Sequence, residues 1–456
     1  MLIPTGVSKL DRMLGGGIPE GFLLSVRGKP GSGETLFCTK VALTCAKHGI
    51  KPLYVSFLED RAKYISTVSA LLPEMADSVH KGEVSYLEFS STVEKGVGPI
   101  LESLFAQIQD VDPKLVVIDS FSALENAVGT LGESRSIVSN MFSRILAKKG
   151  VSTLMISEGD KDDFTSFVAD GILRFGKRSY GNLVLRELEV SKMRSVSLGH
   201  NRFVYTFERG YGIRVFEPFV VHYSERVRSK KPLPDGVSRY SAGSKDLDSV
   251  TGGYPRGSLV FWDIGESVPL DALYATVAAP LANFILQDRG VMILPTLEFM
   301  KEDVRRFLYP DERTFAKCVR MFVYSPAQAD YFVQLTGVAE RDLITWDHVY
   351  ESFGGKPVIK VAGLDALEHV YGREKAIDMI RGARRKTSER GDVTLIVSKP
   401  GLFTAETVRN MANVRLSLRF VDGYIVFGGL SPYTGNYLFE ASFSRGYPQL
   451  FLRRLN

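Results

Sequence analysis

Apolar residues fall along the chain in short continuous runs, and between the runs they recur every three or four positions. Short runs bounded by turn residues read as buried strands, and the longer period reads as helix. In the first half, Leu23–Val26, Leu53–Phe57, Leu115–Asp119 and Thr153–Ser157 are predicted strands. Thr35–Lys47, Ala62–Leu72, Pro99–Ile108 and Ser136–Lys149 are predicted helices. Strands alternating with helices argue for an α/β domain with a mostly parallel sheet. From Gly181 the pattern changes. Leu183–Lys192, Arg202–Glu208 and Gly212–Phe216 read as antiparallel strands closing that sheet. The second half repeats the order and ends in β-rich, aromatic sequence over Tyr424–Leu452.

The repetition extends to single residues. Gly6-Val-Ser-Lys-Leu-Asp leads to Gly15-Gly-Gly-Ile-Pro-Glu-Gly21, and Gly243-Ser-Lys-Asp-Leu-Asp leads to Gly252-Gly-Tyr-Pro-Arg-Gly257. Aligning the last glycines gives an offset of 257 − 21 = 236 residues. Between the copies, Glu225–Asp235 is basic, poor in apolar residues and broken by two prolines, the composition of a linker. The expected organisation is a domain over 1–224, a linker over 225–235 and a second copy over 236–456.

Composition narrows the class. Of 456 residues, 45% are apolar and 24% charged, which excludes a disordered or fibrous chain. The charge balance, 57 − 52 = +5, is too small for this length to argue for nucleic acid or an anionic membrane. Cys38, Cys45 and Cys318 are too few and too scattered for a disulfide framework or a zinc site, and the six histidines show no ligand spacing. No basic segment followed by an apolar stretch opens the sequence, and no long uncharged apolar run occurs. A cytoplasmic protein with reduced thiols and no membrane partner is the expectation. Glycine, at 42 residues, stands out.

Several of those glycines lie in Gly28-Lys-Pro-Gly-Ser-Gly-Glu-Thr35, between the first strand and the first helix. The spacing is that of a P-loop, G-x-x-x-x-G-K-[ST], in which glycines turn backbone N–H groups toward phosphates and the hydroxyl binds Mg²⁺. Gly28, Lys29, Gly31, Ser32, Gly33, Glu34 and Thr35 are the candidate nucleotide-binding residues. Glu34 stands where the lysine belongs. A lysine at ~4 Å from a phosphate contributes about 4 kcal/mol at an effective dielectric near 20, and a carboxylate there adds repulsion of similar size. Three readings follow: natural loss of ATP binding or turnover, compensation by Lys29, or an engineered or chance change from lysine to glutamate. Asp119 ends an apolar strand and is the candidate magnesium acid with Thr35. Glu59, after the second strand, is the candidate to polarise an attacking water.

These residues resemble a family. Ile3-Pro-Thr-Gly-Val-Ser-Lys-Leu-Asp, the Gly15–Gly21 stretch, the P-loop, the Asp119 strand, Phe167-Val-Ala-Asp-Gly171 and Lys192-Met-Arg194 look like a tandem KaiC-type ATPase of the RecA superfamily, related to GvpD and RadA proteins and of archaeal type. The resemblance implies two tandem RecA-like P-loop domains, ATP and Mg²⁺ as cofactors, and homo-oligomeric rings, hexamers among them. It also implies that Lys192 and Arg194 reach a neighbouring subunit's phosphates as catalytic residues. The sequence departs from the pattern at Glu34, at Leu58, where a first glutamate is usual, and at Ser195, where glycine is usual. In the second copy the offset places Ile264, Pro269, Leu270 and Asp271 at the loop, and matching Ala366-Leu367 to Ala123-Leu124 places Ala362 at Asp119, so that copy is expected to be degenerate. The loops that could face nucleic acid, Glu125–Arg135 and Glu158–Asp163, carry no basic patch, and the second is acidic. Arg384–Lys386 reads as solvated helix charge. The expected function is an ATP-binding regulatory or assembly protein with weak or lost hydrolysis. The alternatives are an active ATPase using Lys29 and a RadA-paralogue-like single-stranded-DNA-binding protein.

Overall fold

Every residue of Leu23–Gly28 (β1) is buried, as a strand covered on both faces must be. β1 lies inside a nine-stranded sheet in a computed structural model that describes residues 1–89, 97–123, 146–159, 164–181, 183–194, 196, 200–223, 231–297, 312–326, 329–443 and 448–455. The other strands are Pro52–Ser56 (β2), Ser85–Glu88 (β3), Leu115–Asp119 (β4), Ser152–Glu158 (β5), Gly171–Tyr180 (β6), Leu183–Met193 (β7), Arg202–Glu208 (β8) and Gly212–Phe216 (β9). Their order is β9-β8-β7-β6-β1-β5-β4-β2-β3. The pairs from β3 across to β6 are parallel, and β6 to β9 pair antiparallel. Two strands, β3 and β6, go beyond those expected. β3 is a half-exposed edge strand with no apolar run, and β6 dilutes its apolar residues with arginine, lysine and glycine.

Glu34–Lys47 (α1) follows β1 and buries ten of its 14 residues, among them Phe37, Cys38 and Val41. Arg61–Ser69 (α2) and Val97–Val111 (α3) follow β2 and β3. The expected helix over 136–149 and the loop over 125–135 lie largely outside the described residues. Strand alternation divides the core. Leu24, Val26, Leu115 and Val117 pack with α1, whereas Leu23, Val116 and Ile118 fill the opposite face. Each such buried aliphatic side chain contributes about 1.5–3 kcal/mol relative to exposure. The same alternation puts Asp119 on the α1 side, at the strand end next to the loop.

The chain divides at Glu217/Pro218 into two units. In the second, Ser258–Ile264 (β10), Gly290–Leu294 (β11), Val319–Val323 (β12), Phe332–Gln334 (β13), Val358–Gly363 (β14), Val393–Ser398 (β15), Val414–Val421 (β16), Tyr424–Ser431 (β17), Tyr433–Phe443 (β18) and Gln449–Arg454 (β19) form the sheet. The order β19-β18-β17-β16-β10-β15-β14-β11-β12 matches the first sheet strand for strand, and β13 adds an edge. Leu270–Leu286 (α4) occupies the place of α1, and 270 − 34 = 236 is the offset read from the glycines. Ala339–Glu351 (α5), Leu364–Tyr371 (α6) and Arg373–Arg390 (α7) follow. The chain is thus α/β, with the same mostly parallel sheet built twice and antiparallel strands closing each copy.

Two details differ from expectation. His222–Tyr223 pairs with Ser442 and Phe443 of β18, so the second unit begins before residue 224. The end of the expected linker is also fixed there: Leu233 exchanges hydrogen bonds with Asn283, and Asp235 pairs with Arg289 at 2.6 Å. The second detail is register. Val116 pairs with Thr153 and Thr153 with Leu23, while Lys360 pairs with Thr394 and Thr394 with Leu259. Leu259 is Leu23 shifted by 236, so Lys360 stands where Val116 does, and Gly363, not Ala362, stands where Asp119 does. The Ala-Leu match fails because that pair follows the strand end by four residues in the first copy, Asp119 to Ala123, and by three in the second, Gly363 to Ala366. Glycine supplies no carboxylate either.

Candidate functional site

The loop turns sharply after β1. Gly31 and Gly33 have φ of +77° and +106°, left-handed values that side chains other than glycine's resist. Gly33 is the residue before α1, and its carbonyl accepts the first helical bond, from Phe37 N–H at 2.8 Å. Ser32 N–H donates to Lys29 O at 3.0 Å, and the Tyr205 hydroxyl of β8 donates to Ser32 O. Lys29 is exposed. The backbone is therefore the cradle the spacing predicts, opening at the N-terminus of a 14-residue helix.

Its donors already have an acceptor. The Glu34 side chain, only 8% exposed, folds back over the loop, and its carboxylate accepts from the N–H groups of Gly33 and of Glu34 itself. A Cβ at Gly28 would overlap that carboxyl, whose carbon lies 2.8 Å from the position. Burial pushes the Glu34 carboxyl up to about 7; the two backbone donors pull it down, and the carboxylates of Asp119 and Glu158 push it further up. A phosphate at this place would meet a carboxylate on the same N–H groups and two more acids beside it. The residues as arranged do not fit a nucleoside triphosphate.

Asp119 is bound from two sides. Tyr54 donates its hydroxyl at 2.6 Å, and Thr35 donates its own. Burial raises the Asp119 carboxyl most; those two donors lower it, and Glu59 and Glu158 raise it again. The pairing of Thr35 with Asp119 is the one a P-loop magnesium site uses. Glu59 lies within electrostatic reach, but its carboxylate pairs with Lys63 at 3.2 Å. Its backbone carbonyl accepts from Ser56 and Tyr86. Tyr54, Tyr205 and Glu158 were not singled out by the sequence. Tyr54 was within reach, since alternation along β2 places it with Ser56, which pairs with Asp119.

Lys192 and Arg194 stand elsewhere. Gly171 pairs with Leu24, at the opening of β1, and with Met193, whereas the P-loop begins at the other end, with Gly28. Gly28 lies four residues along the strand from Leu24, about 13 Å at 3.3 Å per residue. Lys192 donates to Ser166 O at 3.3 Å, and Arg194 pairs with Asp170 at 2.7 Å. The structure thus brings together Gly28, Gly31, Ser32, Gly33, Glu34, Thr35, Asp119 and Glu59, and leaves Lys192 and Arg194 apart. In the second unit the counterpart loop runs over 265–269 into Leu270, and Lys386 of the basic Arg384–Lys386 run is paired with Asp347.

Residues 3–219 match the family model of the KaiC ATPase. Circadian clock protein KaiC2 of Synechocystis sp. is 25% identical over 274 residues, covering 56% of this chain and 46% of that protein. Protein GvpD1 of Halobacterium salinarum is 24% identical, covering 61% and 54%. Protein GvpD2 of the same organism is 22% identical over 456 residues, 91% of this chain and 89% of that protein. The chain thus spans about half the length of KaiC2 and GvpD1, and nearly all of GvpD2.

Proposed function

With residues 3–219 a KaiC-type ATPase domain of the RecA superfamily, we propose that this chain is a self-associating regulatory protein whose one remaining P-loop is held by its own carboxylate and has lost ATP hydrolysis. KaiC-type domains use nucleotide and Mg²⁺ in general. What supports a different state here is Glu34, bonded to the loop's N–H groups where a phosphate would sit. Two oriented backbone donors at a helix N-terminus form an anion site, and an internal carboxylate fills it without the cost of capturing a ligand from solution. Asp119 and Thr35 remain as a hydrogen-bonded pair.

Self-association is the second part of the reading. Lys192 and Arg194 stand at the opposite end of β1 from their own loop and do not serve it within one chain; what supports assembly is the KaiC-type domain itself. Light scattering of the full chain is expected to give an oligomer, with or without ATP. A monomer at micromolar concentration contradicts this. Phosphate release from ATP is expected at background level and unchanged by Lys29→Ala. Turnover that Lys29→Ala abolishes overturns the loss of hydrolysis and makes Lys29 the compensating cation.

A further inference from the structure

The second unit contains a cavity unrelated to the loop site. It has a volume of about 390 Å³ and lies between α5, α7 and one face of the sheet. That size falls within the usual range for small-molecule sites. Leu294, Ala362 and Ile396, from β11, β14 and β15, form its floor, and Leu335, Leu367 and Ile380 close its sides. Trp346 forms one wall and is held flat by stacking on Phe322, with ring centres 4.0 Å apart.

The space follows from the composition of α7. Of its 18 residues only Ala376, Ile380 and Thr387 are buried, so the helix sends few side chains toward the sheet. Gly382 lines the cavity, and a Cβ added there would meet no atom within 4 Å. Glycine in a helix interior is destabilising relative to alanine, so this position gives up stability where no neighbour demands it. Three ion pairs tie α7 to α5: Lys375 with Glu340 at 2.6 Å, Lys386 with Asp347, and Arg390 with Glu351 at 3.3 Å.

The polar groups indicate what would fit. Lys360, 5% exposed, lines the cavity. Its ammonium donates to Asp392 at 2.8 Å and lies 4.7 Å from the centre of the Tyr350 ring. An ammonium has three donors, so capacity remains for an acceptor. Five basic residues line the cavity (Lys360, Lys375, Arg385, Lys386, Arg390) against four acids (Glu340, Asp342, Asp347, Asp378), and Asp392 and Glu351 pair with Lys360 and Arg390, so the preference for an acid rests on the spare donor of Lys360 and not on net charge.

We propose that this cavity is a binding site for a planar, largely apolar small molecule carrying one acidic group, the ring lying against Trp346 and the acid toward Lys360. The probe is 8-anilinonaphthalene-1-sulfonate, which has a fused ring and a single sulfonate. Trp346 is one of two tryptophans, and the other, Trp262, is buried on the α4 side of the sheet. Titration of the full chain is expected to show one saturable site with energy transfer from tryptophan. Trp346→Phe is expected to remove most of that transfer. Gly382→Ala should bind within roughly twofold of the parent, and Gly382→Phe, which fills the space, should bind roughly tenfold more weakly or worse. Gly382→Leu carries the same test if the phenylalanine variant does not fold. N-Phenyl-1-naphthylamine, the same rings without the acid, should bind roughly tenfold more weakly. Non-saturable binding, or equal affinity in the filled and parent proteins, overturns the site. Equal affinity for the neutral analogue overturns the assignment of the acid. Glu34→Lys should leave every value unchanged, and a change there overturns the separation from the loop site.

Discussion

At Glu34 one side chain takes two parts at once, the missing lysine's position and the phosphate's partners. Its carboxyl sits where a Cβ on Gly28 would go, so Gly28→Ala should destabilise the chain by about 1–3 kcal/mol, the usual cost of overpacking. Glu34→Ala should relieve only part of that cost, because the backbone carbonyl of Phe175 would still lie 2.7 Å from the added Cβ. The double variant, measured by urea unfolding, is expected to be less than additive, and strict additivity would remove the contact from the account. Acidity gives a second test. The carboxyl titrates near 7 folded against an ordinary 4.5, so the folded state holds the proton across that window. Glu34's share of stability is complete below about pH 4.5 and is lost as pH rises through about 7. Glu34→Gln should therefore flatten the fall in melting temperature between about pH 5 and 8. The inverted charge at this site was legible in the sequence. The route of the side chain was not, because spacing fixes where a residue stands but not which way a long side chain turns. Glu59 makes the same point from the other side: its place after β2 was legible, its partnership with Lys63 was not.

Helices and strands followed the apolar pattern wherever burial was strong. β1, β4 and α1 were legible because both strand faces or most of the helix are covered. β3 was not, since an edge strand needs backbone pairing more than apolar residues. Registers between repeats were also out of reach, because segment lengths drift between strands, and only pairing fixes Gly363 opposite Asp119's place. The turn between α7 and β15 shows the energetic side of a contact held by charge. Lys360 and Asp392 are both buried, and Asp392 also accepts from Val358 N–H at 2.9 Å. Asp392→Ala leaves a buried ammonium unpaired and should cost about 3–5 kcal/mol in urea unfolding. Gly382→Ala should act oppositely, stabilising by about 0.5–1 kcal/mol. A loss of stability there would mean that the helix needs its glycine.

Across the whole molecule, one topology occurs twice with unequal chemistry. The first copy keeps the left-handed glycines, the Thr35–Asp119 pair and the loop N–H groups that Glu34 accepts from; the second has Pro269, Leu270 and Gly363 at the corresponding places. Glycine spacing made the duplication legible at 236 residues, and strand order bears it out. If Glu34 alone closes the first site, restoring the lysine should open one site per chain and not two. Isothermal titration with ATP and Mg²⁺, run on the parent chain, Glu34→Gln and Glu34→Lys, tests this most directly. One ATP per chain is expected for Glu34→Lys, with an affinity at least about 100-fold above the parent, and Glu34→Gln between them. Equal affinity in the parent and Glu34→Lys would contradict it.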